Sequence, residues 1–111
     1  MRQYELWWAQ LPQPAGRRPV LLLSRKDSYQ YLNRFVAAEI TTTIRNIAIE
    51  VPLGPREGLS KKCVANLDSL RTVSREALVE RIGTVAAARR VEVKRALGYA
   101  FAWEELIDSS Q

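Results

Sequence analysis

Gly16-Arg17-Arg18-Pro19-Val20-Leu21-Leu22-Leu23 is the stretch on which the reading of this chain turns. Pro19 has no backbone N–H, so it can open a strand but not occupy its middle, and the four apolar residues after it are typical of a strand buried on both faces. The Arg17-Arg18 pair is thereby pinned where a loop becomes rigid. Two fixed guanidiniums suit an anion contact.

Upstream, Tyr4, Leu6 and Trp8 alternate with Glu5 and Trp7, which predicts a strand over residues 4–9 with Trp7 and Trp8 on opposite faces. Residues 11–16 hold two prolines and a glycine and read as a loop. Downstream, Asp27 or Ser28 caps a short helix running to Asn33, and residues 35–41 form a third strand. Ile47, Ile49 and Val51 alternate with Ala48 and Glu50 as a fourth strand ended by Pro52.

Residues 53–62, with two glycines, a proline and three basic side chains, read as a long exposed loop. Strands then follow at 63–67 and 69–73, one helical turn at 74–77 and a last strand at 78–85. Val93, Ala96, Leu97, Ala100 and Phe101 share one face of a helix over 87–106, and residues 108–111 read as a frayed tail. The result is a mostly β fold with α: a small antiparallel, partly open barrel carrying a C-terminal helix. At 111 residues the chain makes one domain, 1–111.

Seventeen Lys and Arg against twelve Asp and Glu leave a formal charge of +5, which favours an anionic partner. The start of the chain has no apolar signal core, and no apolar run is long enough for a membrane span. The lone Cys63 cannot form an internal disulfide and reads as core filler in a reducing compartment, which predicts a cytoplasmic protein.

The chain contains no histidine, which removes the commonest general acid and base, every Ser-His or Cys-His nucleophile pair and the usual zinc ligands. Phosphate-cradling GxxxxGK[ST] and GxGxxG loops are missing too. Arg, Lys, carboxylates and hydroxyls remain. That set suits cleavage of RNA by its own 2′-hydroxyl, in which always-charged guanidinium donors stabilise a phosphate whose negative charge grows in the transition state.

Tyr4-Glu5-Leu6-Trp7-Trp8-Ala9-Gln10-Leu11, followed by Gly16-Arg17-Arg18-Pro19-Val20-Leu21-Leu22-Leu23-Ser24, resembles the start of MazF/PemK (Kid)-type toxins of type II toxin-antitoxin pairs. The likeness continues through Ile40-Thr41-Thr42-Thr43-Ile44-Arg45, residues 64–73 and Arg81-Ile82-Gly83. It implies a barrel of the PemK/CcdB type and a sequence-specific endoribonuclease, an mRNA interferase, that cuts single-stranded RNA to a 2′,3′-cyclic phosphate and a 5′-hydroxyl. It also implies no metal or other cofactor, a homodimer, and neutralisation by a MazE-type antitoxin; charge complementarity predicts that an acidic antitoxin segment lies over the Arg17-Arg18 loop.

The same resemblance puts the catalytic roles on Arg18 as transition-state stabiliser, Thr41 as hydroxyl partner and Asp68 as base. Arg17, Ser24, Thr42, Asn66 and Ser69 become RNA contacts. The chain departs from the family pattern at Tyr4, where glycine is usual, at Ser69, where glutamine is common, at Asn66, where the PemK branch has arginine, and at Ala86, where a capping serine usually stands. A non-catalytic barrel that binds gyrase in the manner of CcdB, or binds RNA or antitoxin without cleaving, is the alternative.

Overall fold

The computed structural model describes residues 1–108, so the tail expected at 109–111 lies outside the described residues. Val20, Leu21 and Leu22 are fully buried, as the apolar run requires, because β2 (Arg17–Leu22) lies inside the sheet with a neighbour on either side. Those neighbours are β1 (Glu5–Gln10) and β3 (Arg34–Thr41). With β4 (Glu50–Leu53), β5 (Cys63–Ser74) and β6 (Leu78–Thr84) they form one antiparallel sheet in the order β4-β5-β3-β2-β1-β6.

Strand alternation divides the core between the two faces of this sheet. Leu6, Leu21, Ala38, Ile40 and Ala65 face α2 (Arg90–Phe101), which contributes Val93 and Ala96. On the other face Val20, Leu22, Phe35, Ala37 and Val73 pack with Leu11 and with Tyr29 of the short helix α1 (Ser28–Tyr31). Trp7 joins this second cluster while Trp8 does not, so the two tryptophans do point to opposite faces.

Several expectations about local structure change, the first being that Pro19 sits inside β2, paired with Trp8, where the sequence predicts that it opens the strand. The fourth strand runs from Glu50 to Leu53 with Pro52 inside it, and Ile47 is 46% exposed outside it. Glu50 accepts the backbone N–H groups of Arg45 and Asn46 at 2.9 and 3.0 Å, which folds the preceding residues into a turn, and Asn46 takes a left-handed φ of 56°. Pro52 is tolerated because β4 pairs only with β5, at the sheet's edge.

The 53–62 loop is not simply exposed, since Pro55–Glu57 forms a 3-10 turn and Glu57 and Leu59 are buried. Gly83 of β6 allows this, because a Cβ there would collide with the Glu57 carbonyl. The two strands expected at 63–67 and 69–73 are one, bent where Ala38 pairs Leu70 but Glu39 pairs Asn66. That bulge inserts extra residues around Asp68, whose N–H donates to Asn66 Oδ1 at 2.9 Å.

The C-terminal helix is also interrupted. A 3-10 turn at Ala87–Arg89 precedes α2, and Ala102 takes a left-handed φ of 55° before α3 (Glu104–Ile107). Phe101, expected on the buried face, is exposed and stacks on Trp103 at 4.7 Å.

Candidate active site and nucleic-acid interface

The pairs Val20↔Glu39, Leu21↔Ala38 and Leu22↔Ala37 fix the β2–β3 register, and continuing it two residues outward sets Arg18 opposite Thr41. The ladder itself stops at Val20, just after the proline that lacks a donor. Arg18 and Thr41 line one cavity of about 380 Å³ with Arg17, Thr42, Trp8 and Lys61. Three of these six side chains are cationic and two carry hydroxyls, which suits a phosphate.

Arg18 donates through Nε to the Ala15 carbonyl at 3.2 Å, which fixes the plane of the guanidinium. Among the described residues no acceptor takes its two terminal NH₂ groups, so the fork stays available to an oxyanion. Thr41 Oγ1 accepts the Thr43 N–H at 3.1 Å, leaving its own proton to donate. Arg17 lies 5.0 Å from the centre of the Trp8 ring and pairs with Glu80 at 3.2 Å.

Arg18 also walls a second groove of about 530 Å³ with Glu39, Arg71 and residues 12–15. There Arg71 Nε donates to Glu39 Oε2 at 2.9 Å, each side chain about a third exposed. The sequence reading expects Arg71 in a structural ion pair or a dimer contact, and the first is what the structure shows; Glu39 is not singled out, although it stands two positions before Thr41 on an alternating strand, a spacing that puts both on one face. Lys61 reaches the first cavity from a loop, and only the tertiary fold reveals that.

The other expected residues are placed differently. Asp68 is exposed on the bulge and lines neither groove; Ser69 beside it is half-buried and lines neither as well. Asn66 is buried and its Oδ1 is occupied by Asp68, so it shapes the bulge. Ser24 accepts the Val36 N–H through Oγ at 2.8 Å and the Tyr29 hydroxyl through its carbonyl at 2.9 Å, which makes it a structural turn residue away from Arg18.

Burial pushes the Cys63 thiol up, outweighing the opposing pull of Lys61, so this buried cysteine remains a thiol at neutral pH. A cavity of about 580 Å³ beside β4 is lined by Ile44, Ile47, Pro52 and Leu53 and is mainly apolar. Of the two arginines that line it, Arg56 and Arg89, the latter is engaged with Glu57, Glu92 and the Pro52 carbonyl and so lacks the free fork that Arg18 offers.

A six-stranded antiparallel half-barrel with a helix over one face and a basic groove at the β2–β3 end has the architecture of a small toxin. The fold matches Mycobacterium tuberculosis toxin MazF-mt6 with a TM-score of 0.82 at 34% identity, covering 88% of this chain and 96% of that one. A MazE-MazF structure from Deinococcus radiodurans matches with a TM-score of 0.75 at 25% identity, covering 92% and 96%. In sequence the chain is 40% identical over 97 residues to the probable endoribonuclease MazF5 of Mycobacterium tuberculosis, 86% of this chain and 88% of that protein.

The model of the PemK-like, MazF-like toxins of type II toxin-antitoxin systems matches residues 2–101, and the chain belongs to that family. By that kinship it is an enzyme of the endoribonuclease class. Among the described residues no helix is long and apolar enough to cross a membrane.

Proposed function

We propose that this chain is a sequence-specific toxin that cleaves single-stranded mRNA without a metal ion, leaving a 2′,3′-cyclic phosphate and a 5′-hydroxyl. The observation that carries this reading is the convergence of Arg18 and Thr41, from two neighbouring strands, on one basic cavity of a chain without histidine. The free fork of Arg18 holds the scissile phosphate and stabilises the charge that builds on it, while the Thr41 hydroxyl donates to the same group. Arg17, Thr42 and Lys61 contact the flanking backbone and a carboxylate removes the 2′-hydroxyl proton.

The net charge of +5 and the exposed Arg17-Arg18 pair suit an acidic antitoxin segment laid over the groove. The MazE-MazF pairing in the Deinococcus radiodurans relative supports a partner of that kind. Among the described residues both outer strands, β4 and β6, leave an edge unpaired, and Val79 on β6 is exposed, which supports a homodimer. A lone buried cysteine fits the cytoplasm.

The test is to incubate purified protein with a long unstructured RNA in excess EDTA and to analyse the product ends. Discrete fragments ending in cyclic phosphate and beginning with a 5′-hydroxyl are expected. Intact RNA overturns the reading, and gyrase inhibition without RNA cleavage would replace it with the CcdB-like one.

A further inference from the structure

An RNA-cleaving groove, the reading on which this inference rests, needs a proton acceptor, and three carboxylates stand beside it: Glu80, which is two-thirds exposed and paired with Arg17, Asp68 and Glu39. Asp68 is exposed on the β5 bulge, lines neither groove, and its backbone is engaged by Asn66. Glu39 shares a groove with Arg18 and lies on the face of β3 that carries Thr41, about 7 Å along the strand at the usual rise per residue.

We propose that Glu39 is the general base of this toxin, with Arg71 as its positioning partner. Arg71 occupies Oε2 at 2.9 Å, and no donor among the described residues takes Oε1. The side chain is 30% exposed, so substrate can reach the free oxygen. Arg18 lines both grooves, and a phosphate on its fork therefore has Glu39 to one side and Thr41 to the other.

This arrangement gives the RNA a direction. The nucleotide whose 2′-oxygen attacks occupies the Glu39 groove under residues 12–15, and the departing nucleotide lies along Thr41, Thr42 and Lys61. In the step, the 2′-oxygen bonds to phosphorus as its proton passes to Glu39. The bond from phosphorus to the 5′-oxygen breaks, and that oxygen takes a proton from water in the open groove.

The charged groups on the elements beside Glu39 are Arg17 and Arg18 on β2 and Asp68 and Arg71 on β5; the loop at 11–16 brings none. A carboxylate acts as a base only in its unprotonated form, so the rate should fall on the acid side.

The experiment measures kcat and KM for RNA cleavage between about pH 4 and 8 in wild type, Glu39→Gln, Glu39→Asp and Asp68→Asn. Glutamine still accepts from Arg71, so the fold is kept, as a matching thermal melt would show. Glu39→Gln should lose about 100-fold or more in kcat, change KM less than about threefold, and lose the acid limb of the profile. Glu39→Asp should keep that limb at a reduced rate, and the acid limb should survive in Asp68→Asn.

Glu39→Gln activity within threefold of wild type, an acid limb surviving in Glu39→Gln, or its loss in Asp68→Asn would each overturn the assignment of Glu39 while leaving the nuclease reading standing. Wild-type protein that leaves RNA intact overturns both.

Discussion

Arg89, at the foot of α2, donates from Nη1 to Oε2 of Glu57 at 3.1 Å, and Glu57 is only 4% exposed. The same guanidinium reaches Glu92 and the Pro52 carbonyl, so one side chain ties the helix to β4 and to the 3-10 turn that floors the 53–62 loop. Removing it strands a buried carboxylate that retains only the Gly54 N–H. Arg89→Ala should therefore cost about 3 kcal/mol, read as a lower urea midpoint at unchanged slope. A loss under about 1 kcal/mol would show that the pair is no more than a surface contact.

Tyr4 explains its own departure from the family pattern. It takes a φ of 72°, a left-handed conformation that glycine adopts without cost, while its carbonyl accepts the Val85 N–H and its ring packs on the core beneath Arg90. Tyr4→Ala loses the ring and keeps the strain; Tyr4→Gly loses the ring and relieves the strain. The glycine variant should be the more stable of the two by about 1 kcal/mol in thermal or chemical melts. The opposite order would contradict the backbone argument.

Acid should weaken the fold through Glu5 and Glu92. Burial pushes the Glu5 carboxyl up, but donors from Trp7, Arg81 and the Arg2 backbone outweigh it and hold it below the ordinary carboxylate value. The Arg89 hydrogen bonds chiefly hold Glu92 down as well. A carboxyl depressed by folding adds stability that is complete above its unfolded pKa of about 4.3 and is lost as pH falls through the lower folded value. Stability should thus be level from neutrality to about pH 5 and decline below about 4.3, with a shallower decline in Glu5→Gln. A Glu5→Gln curve as steep as wild type in equilibrium unfolding would remove Glu5 from the account.

The sheet's centre was legible because Val20, Leu21 and Leu22 need only local pattern to declare a doubly buried strand, but Pro19 does not mark its start: β2 begins at Arg17 and Pro19 pairs with Trp8 inside it. The errors lie where a side chain overrides the pattern. Glu50 turns an alternating Ile47–Val51 stretch away from the sheet, and Asn66 folds β5 into a bulge that looked like a break between two strands. The meeting of Arg18 and Thr41 depends on β2 and β3 being neighbours, which a hairpin-like order makes readable. Glu39 escaped notice because a lone charge in a strand resembles a solvated edge position, and only the Arg71 pairing and the shared groove give it a role.

The central claim is that Arg18 and Thr41 act on one phosphate, and a double-mutant cycle in single-turnover RNA cleavage tests it most directly. Arg18→Ala should lose about 1000-fold, Thr41→Val should lose less, and the double variant should be no more than about threefold slower than Arg18→Ala, because residues acting as a unit are not additive. Losses that multiply, or an Arg18→Ala variant that cleaves at the wild-type rate, would contradict it.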